Sequence, residues 1–177
     1  MSVRPLALLI FCVTLLGSYK AQAVSNNWAI FKNYGVRFPL PRNWLRGSFN
    51  PISTIKTILL HPVGARIIFA TEALEPTMDE KKWAQWSLNY LKKRKFKIIS
   101  RSHLVVMGKP MGISYRAKRK KKVISMVHIK HGQRGLLFTF SCSIAKMSAK
   151  DKKLKVKGIC EKREKEFNDL LLRIILF

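Results

Sequence analysis

The segment from Met111 to Ile144, MGISYRAKRKKKVISMVHIKHGQRGLLFTFSCSI, decides the fold. It consists of three strand-like runs separated by a basic turn at residues 118–122 and a glycine-containing turn at residues 131–135. In the third run, apolar and polar residues alternate strictly, so one face of this strand must be covered. The apolar residues of that face are Leu136, Phe138, Phe140, Cys142 and Ile144. We therefore predict that the three runs form the centre of an antiparallel sheet.

Two helices are predicted to cover this sheet. The first begins at a capping box, in which Thr77 is followed three residues later by Glu80. Trp83, Trp86 and Tyr90 then recur at helical spacing, which predicts that they pack against the sheet. The alternative role of such a tryptophan pair is to bind a sugar or a base. The second helix starts near residue 159, and its predicted apolar face comprises Phe167, Leu170, Leu171 and Ile174.

The first 23 residues have the arrangement that is typical of a secretory signal peptide. Arg4 precedes an apolar run at residues 6–16, and Ala21-Gln22-Ala23 supplies a cleavage site. The apolar run is shorter than the roughly 20 residues that span a bilayer. We therefore predict an exported chain with a single domain over residues 24–177 and no transmembrane segment in the mature protein. It would be periplasmic, or extracellular if a type II pathway carries it onward.

Two cysteines follow the predicted leader. Cys142 lies on the apolar face of the third run, and Cys160 lies in the first turn of the helix that would cover it. In an oxidising compartment such a pair predicts a disulfide, and two free thiols are the alternative. A zinc site is not expected, because two cysteines without a histidine at ligand spacing are too few ligands. We predict neither a metal nor a cofactor.

The chain is strongly basic, with 35 lysines and arginines against 9 acidic residues and a formal net charge of +26. Like charges concentrated on a turn do not stabilise a fold, so the clusters favour an anionic partner over a merely solvated surface. The predicted binding residues are Lys92, Lys93, Arg94, Lys95, Lys118, Arg119, Lys120, Lys121, Lys122, Lys150, Lys152, Lys153, Lys155 and Lys157.

The class of anionic partner stays open at this point. Nucleic acid, anionic lipid or lipopolysaccharide, and an acidic protein all fit the charge. Aromatic residues among the lysines are scarce, and Phe96 is the only candidate for an exposed ring that could stack on a base. The sequence does not indicate an oligomeric state.

Several short motifs resemble the PsbP-like superfamily, which includes an extrinsic subunit of the oxygen-evolving complex and a Ran-binding import factor. They are Gly35-Val36-Arg37-Phe38-Pro39 with Pro41 and Trp44, the Trp83/Trp86 helix, Gly108-Lys109-Pro110-Met111-Gly112 before a strand with Tyr115, and a closing helix with Phe167. The resemblance implies an α+β fold in which helices flank an antiparallel sheet on both sides, an α/β/α sandwich. It implies a binding or assembly module without catalytic residues. The basic clusters are not part of the shared pattern.

The enzymatic alternative is a small secreted ribonuclease-like hydrolase that uses histidine and lysine. Its candidate residues are His61, His103, His128 and His131. His128 and His131 are three residues apart on a predicted strand, so their side chains should point to opposite faces. Nucleophile-elbow, metalloprotease and phosphate-loop motifs are absent from the sequence. We therefore interpret the chain as an exported, basic, non-enzymatic binding module.

Overall fold

The computed structural model describes residues 28–47, 54–143 and 156–177, with the backbone alone for residues 156 and 157. The predicted signal peptide lies outside the described residues, as does most of the basic segment between Cys142 and Cys160. Neither helix of the described part combines the length and the apolar content that crossing a membrane requires.

The described residues form ten strands and two α-helices. In chain order these are β1 (Trp28–Phe31), β2 (Val36–Pro39), β3 (Leu45–Gly47), β4 (Ile55–Leu60), β5 (Ala65–Ala73), α1 (Glu80–Lys93), β6 (Lys97–Val106), β7 (Lys109–Arg119), β8 (Lys122–His131), β9 (Arg134–Ser143), α2 (Val156–Leu171) and β10 (Ile175–Leu176). A large sheet has the order β3-β4-β5-β9-β8-β7-β6, and a small sheet has the order β1-β2-β10.

The three runs of the central segment are β7, β8 and β9, which pair antiparallel as predicted. Phe138 and Phe140 of β9 are completely buried. They lie beside Phe167 of α2 in one apolar core, and the Phe140 and Phe167 rings stack at 5.7 Å between centroids. The alternation seen in the sequence therefore does separate a core face of this strand from the other face.

The predicted α/β/α sandwich is wrong. The described residues form two antiparallel sheets with only two helices, so the fold is mainly β. The leading hairpin does not join the large sheet, because β2 pairs with β10 through Arg37↔Ile175 and Val36↔Leu176. An isolated two-stranded hairpin is marginal, and a third strand satisfies one of its open edges.

The layer that packs on β9 is therefore a mixed one. The small sheet contributes Val36 and Phe38, and α2 contributes Phe167 and Leu170. The helix ends at Leu171, earlier than the predicted apolar face implied, and Ile174 is buried from the turn that follows it. The prediction that the apolar face of the helix extends to Ile174 is therefore wrong, because the last residues of the chain are extended.

Helix α1 packs on the large sheet, where it covers side chains of β7 and β8. Ala84 and Leu88 contact Ile113 and Tyr115, and Leu91 packs beside Ala117. The N-cap of α1 is Asp79, whose carboxylate accepts a hydrogen bond from the Lys82 backbone N–H. The predicted cap, Thr77, lies two residues before this position.

The predicted disulfide between Cys142 and Cys160 is confirmed. It joins the end of β9 to the first turns of α2, with the two Cα atoms 5.8 Å apart. A second link lies one turn further along α2, where the Glu164 carboxylate accepts two hydrogen bonds from Arg116, at 2.7 and 2.8 Å, and one from Ser125 at 2.6 Å. Both links fix α2 against the large sheet.

Candidate anion-binding site

The predicted site residues fall into three basic clusters, at residues 92–95, 118–122 and 150–157. The first two clusters meet at one corner of the large sheet. The C-terminal end of α1 and the β7–β8 turn are joined by a hydrogen bond from Nη1 of Arg119 to the carbonyl oxygen of Arg94, at 2.9 Å. Carbonyl groups at the end of a helix lack helical partners and form the negative end of its dipole, so a guanidinium is favourable there. The Arg119 guanidinium also lies over the Phe96 ring, 5.0 Å from its centroid.

An open groove runs along this corner, and we call it the basic groove. It is lined by Lys95, Lys97, Ile98, Ile99, Lys118, Arg119 and Lys120. Five of these seven residues are cationic, and no carboxylate of the described residues lines it. The two ion pairs of the α2 region, Arg116–Glu164 and Arg163–Glu166, lie outside it. Such a concentration of one sign of charge attracts anions.

A β-bulge shapes the floor of the groove. Ile98 pairs with Ala117 and Ser100 pairs with Arg116, which leaves Ile99 as the extra residue of β6. Ile99 lines the groove and remains 47% exposed. The bulge therefore places an apolar side chain among the cations.

The lysines of the groove occupy positions that lower the stability of the fold. Lys95 and Lys120 have positive φ angles of 61° and 51°, which cost an L-residue about 1–2 kcal/mol. Lys97 and Lys118 stand directly opposite each other on β6 and β7, where like charges repel. Glycine at positions 95 and 120 would make the fold more stable, and so would a neutral side chain at position 97 or 118. The stability of the fold therefore does not explain why lysine stands at these positions.

The other predicted site residues have different positions. Lys92, Lys93 and Lys121 are exposed near the groove without lining it, and Lys122 is half-buried at the start of β8. Lys150, Lys152, Lys153 and Lys155 lie outside the described residues, as does the side chain of Lys157.

The described residues that flank the third basic cluster are Ser143 before it and α2 after it. Ser143, the last described residue before it, pairs with Lys122 of the β7–β8 turn. The Cys142–Cys160 disulfide holds the first turns of α2 at the end of β9.

Sequence reasoning missed three residues of the groove as site residues, Lys97, Ile98 and Ile99. Lys97 stands in a run of cations from residue 92 onward, but nothing in that run indicates that it faces Lys118. The register of β6 on β7, including its bulge, creates that proximity. The cation run was the one signal that pointed to Lys97.

The predicted packing of the α1 aromatic residues is wrong at two of three positions. Trp83 is buried, whereas Trp86 is 68% exposed and Tyr90 is 56% exposed. The inward stripe of α1 consists of Trp83, Ala84, Ser87, Leu88 and Leu91. Phe96, the predicted exposed ring, is instead buried beneath Arg119. Exposed aromatic rings do accompany the basic groove, but they lie on α1.

The four histidines are spread over the molecule. His61 stands beside Arg163 of α2, His103 lies on the edge strand β6, and His131 lies close to Gly35 of the β1–β2 connection. His128 points to the α1 side, where its Nε2 shares a hydrogen bond of 2.8 Å with Oγ of Ser87. His128 and His131 therefore point to opposite faces, as predicted.

Burial lowers the pKa of His128 to about 4. The ring is completely buried, and its Nδ1 has no hydrogen-bond partner. Desolvation, together with the charge of the neighbouring Arg163, also lowers the pKa of His61. Within the described residues, no group of three histidine, cysteine or acidic side chains is placed to hold a metal ion.

The arrangement defines a mainly antiparallel β protein with a cationic groove at one corner. In its fold it resembles the solution structure of cyanobacterial PsbP (CyanoP) from Synechocystis sp. PCC 6803, with a TM-score of 0.57 at 9% identity, covering 92% of this chain and 99% of that chain. The Ran-binding protein Mog1p from Saccharomyces cerevisiae has the same TM-score, 0.57, at 9% identity, with 87% of this chain and 96% of that chain covered. The chain therefore has the PsbP-like fold, as its motifs predicted.

No protein-family model and no curated protein matches the sequence. At 9% identity, the two structural similarities establish the fold alone.

Proposed function

We propose that this protein is a non-enzymatic binding module that engages an anionic partner through the basic groove. The observation that carries the proposal is the composition of the groove: among the described residues, five cations and two isoleucines line it, without a carboxylate. Lysines held at positive φ and in a like-charge cross-strand pair are unfavourable for folding, which supports a role in binding.

The binding part of the proposal is tested by neutralising three groove lysines together, Lys97, Lys118 and Lys120, to glutamine. Binding to heparin, to anionic liposomes and to a single-stranded oligonucleotide of about 12 nucleotides would be measured over a salt series. For the oligonucleotide, the loss of three phosphate contacts should reduce the slope of log K against log salt by about 2. The variant should be no less stable than the wild type, because the Lys97–Lys118 repulsion is removed.

A matched control neutralises three exposed lysines elsewhere, Lys32, Lys109 and Lys162, which do not line the groove. This variant has the same net charge as the groove variant, so a non-specific charge effect would appear equally in both. Preferential loss of binding in the groove variant supports the proposal. Equal losses in the two variants, or unchanged binding by the groove variant, would refute it.

The non-enzymatic part of the proposal is supported by the dispersal of the histidines. In the part of the chain that the structure describes, a hydroxyl and an imidazole form a hydrogen-bonded pair at Ser87 and His128. This pair is buried beneath α1, where a substrate would not reach it. Its imidazole also lacks the carboxylate that orients the base in serine hydrolases. Incubation with labelled RNA should leave the RNA intact, and cleavage that is lost on replacing one histidine would contradict this.

We also propose that the protein works outside the cytoplasm. A disulfide persists in an oxidising compartment, which supports export together with the leader-like N-terminal sequence. Cell fractionation would test this step independently. Recovery in periplasmic or culture fluid, shortened at the N-terminus, is expected, and recovery of the full-length chain in the cytosol would contradict it.

A further inference from the structure

The outward face of α1 carries two exposed aromatic side chains next to the basic groove. Trp86 and Tyr90 are four residues apart, so they lie on one face of the helix about 6 Å apart along its axis. They are 68% and 56% exposed, although aromatic side chains are among the groups that gain most from burial.

A chain of contacts joins Tyr90 to the basic groove. The Arg94 guanidinium lies over the Tyr90 ring, 5.3 Å from its centroid. The backbone carbonyl of the same arginine accepts the hydrogen bond from Arg119, which lines the groove. Trp86, Tyr90 and Arg94 follow one another at four-residue spacing on one side of α1 and its C-cap, and we call these three residues the ladder. Its last member, Arg94, contacts Arg119 of the basic groove.

The neighbours of the ladder are cations and amides. Lys82 precedes Trp86 by one helical turn, Lys93 follows Tyr90 by three residues, and Asn89 lies between them, all exposed. From Lys81 to Lys95 the sequence contains no acidic residue. Such a face differs from a helix that inserts into a bilayer, which needs a continuous apolar side. It differs equally from an apolar protein-docking stripe.

From this combination we infer that the partner is a single-stranded nucleic acid. Its bases would stack on Trp86 and Tyr90, and its phosphates would be neutralised by Arg94 and by the lysines of the basic groove. Exposed rings beside a cationic groove are the arrangement with which proteins hold unpaired strands, because every base has a flat face and every nucleotide a charge. The inference rests on the proposed function, since it names the partner of the same groove.

The test compares Trp86→Ala and Tyr90→Ala with the wild type on two probes of about 12 nucleotides. One is a single-stranded oligonucleotide, and the other is the abasic sugar–phosphate backbone of the same length and charge. Each substitution should weaken binding of the intact strand by about 5- to 150-fold, the loss of one stacked base. Binding of the abasic strand should be unchanged. Both side chains are exposed, so the variants should melt like the wild type.

The matched control is Phe177→Ala, which removes an aromatic ring that is 58% exposed and belongs neither to α1 nor to the lining of the basic groove. It should bind both probes like the wild type. Stacking can also be followed by tryptophan fluorescence, which the intact strand should quench and the abasic strand should not. The part of the quenching that is lost in the Trp86→Ala variant comes from Trp86.

The outcomes separate the inference from the proposed function. If the groove variant weakens binding while intact and abasic strands bind equally in every protein, groove binding stands and nucleic-acid stacking is refuted. The inference also falls if Trp86→Ala weakens binding of heparin or of liposomes instead of the oligonucleotide. If the groove variant binds all anionic probes like its control, the proposed function itself fails.

Discussion

The clearest quantitative expectation concerns His128, which should make the protein lose stability in acid. The ring is packed between Trp83 of α1 and Tyr115 of β7, with centroids 4.6 and 5.3 Å away, and its one hydrogen bond is to Ser87. Desolvation is the cause of its low pKa. No carboxylate is hydrogen-bonded to the ring within the described residues, so a proton on it would remain uncompensated.

The magnitude follows from the difference between the folded and the unfolded pKa. The folded value is about 4 and the model-peptide value is 6.5. Between these values the unfolded chain binds more protons, so stability is complete above pH 6.5 and falls as the pH drops towards 4. At about pH 5 the free energy of unfolding is lower by about 2 kcal/mol, and in stronger acid the decrease reaches a limit of about 3 kcal/mol.

Urea unfolding of the wild type and of His128→Gln at about pH 7 and about pH 5 tests this expectation. Glutamine does not titrate, so the variant should lose about 2 kcal/mol less than the wild type between the two pH values, whatever its absolute stability. His103→Gln, on the exposed edge strand, is the control and should follow the wild type. If the free energy of unfolding depends on pH equally in the wild type and in His128→Gln, the buried ring is not the cause of the acid sensitivity.

Three further changes test two links that stabilise the fold and one position at which the backbone is strained. Reducing the Cys142–Cys160 disulfide, which closes a separation of 18 residues, should lower the free energy of unfolding by about 3 kcal/mol, and equal urea midpoints with and without reductant would contradict this. Glu164→Gln should cost about 1–3 kcal/mol because it breaks a charged network, while Glu161→Gln, exposed one turn earlier, should cost almost nothing; similar losses in both would exclude the network. Lys120→Gly should raise the unfolding free energy by about 1 kcal/mol because its φ is positive, and Lys121→Gly, where φ is not positive, should not; a thermal melt that ranks them otherwise would disprove the strain.

The parts of the fold that sequence predicted well depend on local patterns. Strict alternation from Leu136 to Cys142 fixes which face of β9 is buried, whatever the remaining topology. The Cys142–Cys160 bond follows from the same alternation, because Cys142 shares the face that a helix covers. Likewise, the opposite orientation of His128 and His131 needs only the two-residue period of a strand.

The errors arise where distant segments meet. The pairing of Ile175 and Leu176 with β2 joins the two ends of the chain, and it turns an expected layer of helices into a mixed layer. For α1, aromatic spacing selected Trp86 and Tyr90 as buried, whereas Ala84 and Ser87 occupy the inward positions because they allow close approach to β7 and β8. Small residues on a helix face were the better signal for packing.

The sequence predicted which segments contribute to the candidate site, but it did not predict how these segments are arranged. Charge runs indicated both the end of α1 and the β7–β8 turn as binding segments. Their meeting depends on Arg119 reaching the Arg94 carbonyl, and the opposition of Lys97 and Lys118 depends on strand register. Charge runs in a sequence therefore locate binding segments without showing which of them share a surface.

Lysine footprinting of the wild-type protein tests most directly that the basic groove is the binding site. The protein would be acetylated with and without a saturating single-stranded oligonucleotide of about 12 nucleotides, and the modification of each lysine measured by mass spectrometry. Protection of Lys95, Lys97, Lys118 and Lys120, with Lys109 modified as in the free protein, is the predicted result. Uniform protection of all lysines, or protection that spares the groove, would contradict the account.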